Sequence, residues 1–141
     1  MSSTSWNEFN NRVIEEFRAK HGKVKGPEGG DLILLNTKGA KTGQPRTYPL
    51  MSVPYGENYL AVASKGGAPS NPHWYYNLLA HPDVTVETGA ETFPAKARLL
   101  TGEERGKAYA HAASIFAPYA EYQQKTTRVI PVFLLERQKN K

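Results

Sequence analysis

The chain has 141 residues, 39% of them hydrophobic, with eight tyrosines and a formal net charge of +5, which suits one globular domain and excludes a disordered tail. It has no cysteine, so disulfides, thiolate metal sites and thiol nucleophiles are excluded, and a reducing cytoplasm is the expected compartment. No apolar run approaches the roughly 20 residues that span a bilayer, and Met1 to Glu8 lacks the basic and apolar blocks of a signal peptide.

Trp6, Phe9, Val13 and Phe17 recur at spacings of three and four, which predicts an amphipathic helix capped by Thr4 or Ser5 and ending near His21-Gly22. Gly26-Pro27-Glu28-Gly29-Gly30 breaks it as a linker. Leu32 to Asn36 reads as a buried strand, and the Gly39 to Gly43 stretch turns the chain into a second, Arg46 to Val53. Tyr55-Gly56-Glu57-Asn58 is a hairpin turn leading to the strand Tyr59 to Ser64. Pro72 sits at the start of a short helix, Trp74 to Ala80, that stops before Pro82. Val84 to Glu87 and Phe93 to Leu100 form another hairpin across Gly89. Thr101 caps a helix that runs to Phe116, Pro118 breaks it, and Val129 to Leu135 is the last strand. Strands joined by hairpins, without regular helix alternation, predict a mainly β (α+β) fold. About six antiparallel strands form a barrel with flanking helices, in a single domain over residues 1–141, with helix and linker in 1–30 and the barrel in 31–137.

Between Leu32 and Pro82 the basic residues are Lys38, Lys41, Arg46 and Lys65, and Glu57 is the only acid. Lys41-Thr42 beside glycines suggests a phosphate loop, yet Ala40 precedes the lysine and the required glycine spacing fails. Gly39 to Gly43 is therefore either a plain hairpin turn or part of an anion site. Ser64-Lys65-Gly66-Gly67 follows a strand, so its amides can face outward, and the two glycines let a planar ring or phosphate approach the main chain. Ser64 has no evident His and Asp partners, which disfavours a nucleophilic triad and leaves its hydroxyl for a ligand hydrogen bond. His21, His73, His81 and His111 are scattered, so no metal is expected. Trp74, Tyr75 and Leu78 suit a helix packed on the barrel. Tyr119 and Tyr122 lie one helical turn apart, either walling a pocket or half exposed on a helix.

Three blocks resemble the deazaflavin-dependent nitroreductase family. They are Thr37-x-Gly39-x-Lys41-Thr42-Gly43-Gln44-Pro45-Arg46-x-x-Pro49-Leu50, Ala63-Ser64-Lys65-Gly66-Gly67-Ala68, and Asn71-Pro72-x-Trp74-Tyr75-x-Asn77-Leu78. Pro82-x-Val84-x-Val86, Thr101-x-Glu103-Glu104-Arg105, Tyr119-x-x-Tyr122-Gln123 and Arg128-x-Ile130-Pro131-Val132 extend the likeness over about Leu32 to Leu135. The resemblance implies a split β-barrel related to FMN-binding oxidases, and as cofactor coenzyme F420, a deazaflavin with a phosphate and an oligoglutamate tail; FMN is the less expected alternative. Carried over, Ala40, Lys41 and Thr42 lie at the anionic tail. Arg46, Thr47, Tyr48, Pro49, Leu50 and Met51, then Val62, Ala63, Ser64 and Lys65, then His73, Trp74, Tyr75, Tyr76 and Asn77 line the phosphate and ring. Two positions depart from the pattern: Ala40 replaces a frequent arginine, and Phe116 replaces a tyrosine of the nitroreductase itself.

The expected activity is hydride transfer from reduced F420 to an electron-poor acceptor such as an enone, a quinone or a nitroaromatic. Ser64 hydrogen-bonds the deazaflavin, and Tyr119 or Tyr122 orients the acceptor or donates a proton. The alternatives are a non-catalytic F420 carrier and an FMN-dependent reductase of the same fold. Basic residues gathered around glycines, not along a groove, argue against nucleic acid. A homodimer, and a peripheral membrane contact through Trp6 and Phe9, complete the expected partners.

Overall fold

A computed structural model describes residues 2–25 and 30–138, with the backbone alone for residues 2–9. The expected linker at Gly26 to Gly29 and the side chains of Trp6 and Phe9 lie outside the described residues. Helix α1 spans Ser2–Ala19, so Thr4 and Ser5, expected as its cap, lie inside it.

Seven strands follow among the described residues: β1 Leu32–Lys38, β2 Pro45–Met51, β3 Pro54–Tyr55, β4 Asn58–Val62, β5 Asp83–Glu87, β6 Thr92–Leu99 and β7 Val132–Arg137. Helix α2, His73–Ala80, separates β4 from β5, while α3, Gly102–Ile115, and α4, Pro118–Gln124, separate β6 from β7. The sheet order is β2-β1-β5-β6-β7-β4-β3, with every pair antiparallel, which is a curled split barrel. The strand beyond the expected six is the two-residue β3. The last strand begins at Val132, not Val129, because Pro131 has no N–H for a ladder and Val129 is exposed. Pro118 opens a helix as well as ending one, since a proline at the first helical position removes only an amide that would lack a partner anyway.

Alternation along the strands distributes the core. Ile33 and Leu35 of β1, Ala61 of β4, and Phe133 and Leu135 of β7 fill the barrel with Val84, Val86, Phe93, Ala95 and Ala97. Their neighbours Leu60, Val62, Val132 and Leu134 point the other way and meet Ala108, Tyr109 and Ala112 of α3 and Tyr119 of α4. Leu32 and Leu34 meet Ile14 and Phe17 of α1. Both faces are covered, so these strands read as continuous apolar runs. Trp74 and Leu78 of α2 enter the barrel interior, with the Trp74 ring 6.1 Å from that of Phe133. No described helix is long and apolar enough to cross a membrane.

The C-terminal end of α1 is locked to the barrel at two points. Arg18 donates to both Glu87 carboxylate oxygens, at 3.1 and 2.7 Å, and Asn36 Nδ2 donates to the same carboxylate at 2.8 Å. Beside it, the left-handed Gly22 (φ 84°) and Gly89 (φ 94°) pack back to back, and a Cβ on Gly89 would lie 2.6 Å from Gly22 Cα. Gly89→Ala is expected to cost about 3 kcal/mol in urea unfolding, since strain and collision add. The Arg18 hydrogen bond, and then that of Asn36, hold the Glu87 carboxyl below its ordinary value against the opposing effect of burial. This stabilisation is present above the unfolded value near 4.5 and is lost as pH falls through the lowered one. Glu87→Gln should therefore lower stability at neutral and alkaline pH and flatten the acid limb, so that variant and wild type converge at the lowest pH.

Register defines two ends. Lys38 pairs with Pro45, Asp83 with Lys96 and Val62 with Val132 at one end. Leu32 pairs with Met51, Glu87 with Thr92 and Tyr59 with Leu135 at the other. The first end, hereafter the rim, holds the Gly39 to Gly43 turn, the loop after β4 and α2. The docked end of α1 lies at the opposite end.

Candidate functional site

Strand β2 pairs with β1 on one side and with no strand among the described residues on the other, and it carries Pro45 and Pro49, residues suited to an edge. The other limit of the sheet is β3 with β4. The two limits join at Ser52-Val53, where the Leu60 N–H donates to the Val53 carbonyl at 2.9 Å. From that junction β2 leads back to Arg46 and β4 leads on to Ser64, and the strip between them is the candidate cleft. Thr47, Tyr48, Pro49, Leu50 and Met51 are all half-buried along it. Met51 stands at the end away from the rim and packs on the α1 cluster.

The Gly39 turn is built around Asn77. The Asn77 side-chain oxygen accepts the Ala40 N–H at 2.9 Å, and its Nδ2 donates to Thr37 Oγ1 and to the Tyr48 hydroxyl, each at 3.2 Å. Asn77 is buried. Expected to line the ligand, it instead spends its amide on shaping the turn that presents Lys41. Thr42 Oγ1 accepts the Gln44 N–H at 3.2 Å, inside the same turn.

Across the cleft, Ser64 is right-handed (φ −71°, ψ −41°) and Lys65 is left-handed (φ 47°). Such a pair turns successive amides to one side and forms an anion-binding concavity. Lys65 Nζ donates to Ser70 Oγ at 3.1 Å. Gly67 (φ 85°) seats the loop against α4, where a Cβ would lie 2.9 Å from the Tyr122 carbonyl oxygen. Val62 and Ala63 are buried; Val62 pairs with Val132, and the Ala63 N–H donates to the Pro131 carbonyl at 2.9 Å.

Lys38, Lys41, Arg46 and Lys65 are all exposed, and among the described residues none of them forms an ion pair. On α2, His73 and Tyr76 are exposed and Tyr75 stands edge-on to Tyr76 at 5.0 Å. Trp74, expected among the lining residues, is a core side chain: at 5% exposure its indole plugs the barrel. Tyr119 requires a similar correction. Its ring is 4% exposed and packs between Phe116 at 5.0 Å, Tyr122 at 6.1 Å and Tyr109 at 6.2 Å. The Tyr109 hydroxyl donates to the Tyr119 carbonyl. Burial, reinforced by Tyr109 and Tyr122, pushes the Tyr119 phenol above its ordinary value. Tyr122 is half-buried and borders the Gly67 loop. Arg128, which the motif Arg128-x-Ile130-Pro131-Val132 does not single out, lies under the Ser64 loop and donates to the Ser64 carbonyl.

A split barrel whose rim gathers exposed cations beside a left-handed glycine loop defines a protein suited to an anionic ligand. Residues 9–137 match the family described as F420H(2)-dependent quinone reductase, and the chain belongs to that family. An F420H(2)-dependent quinone reductase of Mycobacterium tuberculosis (strain H37Rv) is 39% identical over 128 residues, 86% of this chain and 85% of the relative. The solved F420-H2 dependent reductase FDR-A is 48% identical with a TM-score of 0.70, over 74% of this chain and 93% of that one. A second solved structure, described as a domain-swapped dimer, is 42% identical with a TM-score of 0.73, over 95% of this chain and 99% of the other. The protein is accordingly an oxidoreductase whose cofactor is coenzyme F420. The donor set fits that cofactor: the exposed rim cations have no ion-pair partner among the described residues, which suits a group with a phosphate and a carboxylate tail, and the left-handed loop offers main-chain amides.

Proposed function

We propose that this chain reduces quinones with F420H2 in the cleft between β2 and the Ser64 loop, and that enones and nitroaromatics are further acceptors. The observation that supports the reading best is the set of rim cations, without ion-pair partners among the described residues, beside the left-handed Ser64-Lys65 turn. Lys41 and Arg46 hold the oligoglutamate tail, and Lys65 with the Ser64 and Lys65 amides holds the phosphate. Thr47 to Met51 form one wall for the ring, and Ser64 Oγ supplies a hydrogen bond to it from the other. When bound, the reduced cofactor supplies a two-electron hydride donor. The protein's part is to align two flat molecules and to exclude water around them. Tyr122, at the border of the cleft, orients the acceptor and is placed to give its oxygen a proton; the buried Tyr119 supports it from beneath.

Pairing of two copies belongs to the same reading. It is supported by the open edge of β2 and by the dimeric state of one solved relative. Fluorescence titration with F420, FMN and FAD, followed by stopped-flow oxidation of bound F420H2 with menadione, tests the function. Low-micromolar F420 affinity, preference over FMN and rapid reoxidation are the expected results. Tight binding without reoxidation would make the chain a carrier, and preference for FMN would replace the cofactor.

A further inference from the structure

The guanidinium of Arg128 donates four hydrogen bonds into one loop. Nε donates to the Ala68 carbonyl at 2.8 Å, Nη1 to the Ala63 carbonyl at 3.0 Å and to Asn71 Oδ1 at 2.9 Å, and Nη2 to the Ser64 carbonyl at 2.7 Å. Arg128 has no carboxylate partner among the described residues. Its own backbone is anchored from the other side. The Arg128 carbonyl accepts Gln123 Nε2 at 2.8 Å, and Gln123 Oε1 accepts Arg105 Nη2 at 2.7 Å and the Ile130 N–H at 3.1 Å. Arg105 also donates to the Ile130 carbonyl, at 3.1 Å from Nε and 2.8 Å from Nη2. Arg128 is thus a fixed point between α3, α4 and the rim.

Peptide geometry gives these bonds a consequence. In a trans peptide the C=O and the following N–H point in opposite directions. Drawing the Ala63 and Ser64 carbonyls onto the guanidinium therefore turns the Ser64 and Lys65 N–H groups away from it. The same bonds hold Lys65 in its left-handed conformation (φ 47°), which a side-chain-bearing residue rarely adopts unaided. A lysine could not replace this arrangement, because its point-like ammonium cannot span four acceptors spread along a loop.

We infer that Arg128 is a positioning residue for the cofactor: it sets the Ser64-Lys65 amides toward the cleft and adds a positive charge, unpaired by any described acid, beneath the bound anion. The inference rests on the cofactor cleft proposed above. It predicts a requirement for the guanidinium fork, not for charge alone, and an effect on affinity with little effect on turnover.

The test compares wild type, Arg128→Lys and Arg128→Met by amide hydrogen exchange over residues 63–68 without cofactor, by F420 titration, and by kcat at saturating F420H2. Both variants are expected to exchange these loop amides about tenfold faster and to bind F420 about tenfold more weakly, with kcat within about threefold of wild type. Protection of the β1 amides serves as the fold control. Should Arg128→Met fail that control, Arg128→Lys decides. Loop exchange and F420 affinity both within about twofold of wild type, in a folded variant, would overturn the inference, as would full recovery by lysine. If wild type itself does not bind F420, the cleft assignment fails separately, and the exchange comparison still judges the role of Arg128 in the loop.

Discussion

Alanine at both Lys41 and Arg46 is expected to raise the Kd for F420 about thirtyfold in low salt. The two side chains are exposed and lack ion-pair partners among the described residues, so each is free to meet an anionic tail. An exposed charge-assisted contact contributes about 1 kcal/mol, less than a buried one, and two contacts give about thirtyfold. Screening supplies the control. At 0.5 M salt the Debye length falls to about 4 Å, and the gap between wild type and variant should shrink below about fivefold. Stability should be unaffected, because neither side chain packs against the core. Lys20→Ala, which removes a cation paired with Glu16 on α1, should leave the Kd in place at both salt concentrations. Equal affinities for wild type and the double variant would move the tail away from the Gly39 turn.

Much of the fold was legible because its strands carry their own signal. Leu32 to Leu35, Leu60 to Ala63 and Val132 to Leu135 are apolar runs bounded by turn residues, and the structure buries them on both faces. The glycine-lysine segments were legible as rim loops for the same reason, since each follows such a strand. Local pattern failed where a tertiary partner decides. Two-residue β3 exists because the chain must close between β2 and β4. Asn77 reads as a polar helix residue, and its role as the clamp on Ala40, Thr37 and Tyr48 depends on segments 29 to 40 positions away.

Arg128 was hidden more deeply. Its acceptors are three carbonyls and an amide 57 to 65 residues distant, and carbonyls leave no trace in sequence. Its one local hint was an arginine in a polar stretch just before a proline and the final strand. Tyr119 and Tyr122 look equivalent by spacing, yet α4 faces one into the core and the other toward the loop. That division depends on where α3 packs, through Tyr109 and Ala112.

Separating these two tyrosines by mutation should produce opposite phenotypes. Tyr119→Ala removes a buried ring from a cluster shared with Phe116, Tyr109 and Ile130, and the expected loss is about 3 to 5 kcal/mol in urea unfolding. Tyr119→Phe keeps the ring, and turnover with menadione should stay within about twofold of wild type, because a phenol this deep touches no acceptor. Tyr122→Ala should behave in reverse. Its half-buried ring contributes about 1 kcal/mol to stability, while kcat/KM for the quinone falls about tenfold through lost orientation of the acceptor. F420 affinity should change little in either variant, since neither ring supplies a charge to the anion. A large turnover defect in Tyr119→Phe at wild-type stability would show that α4 moves its buried face into the cleft during the reaction, and the proton would then have to be assigned to Tyr119.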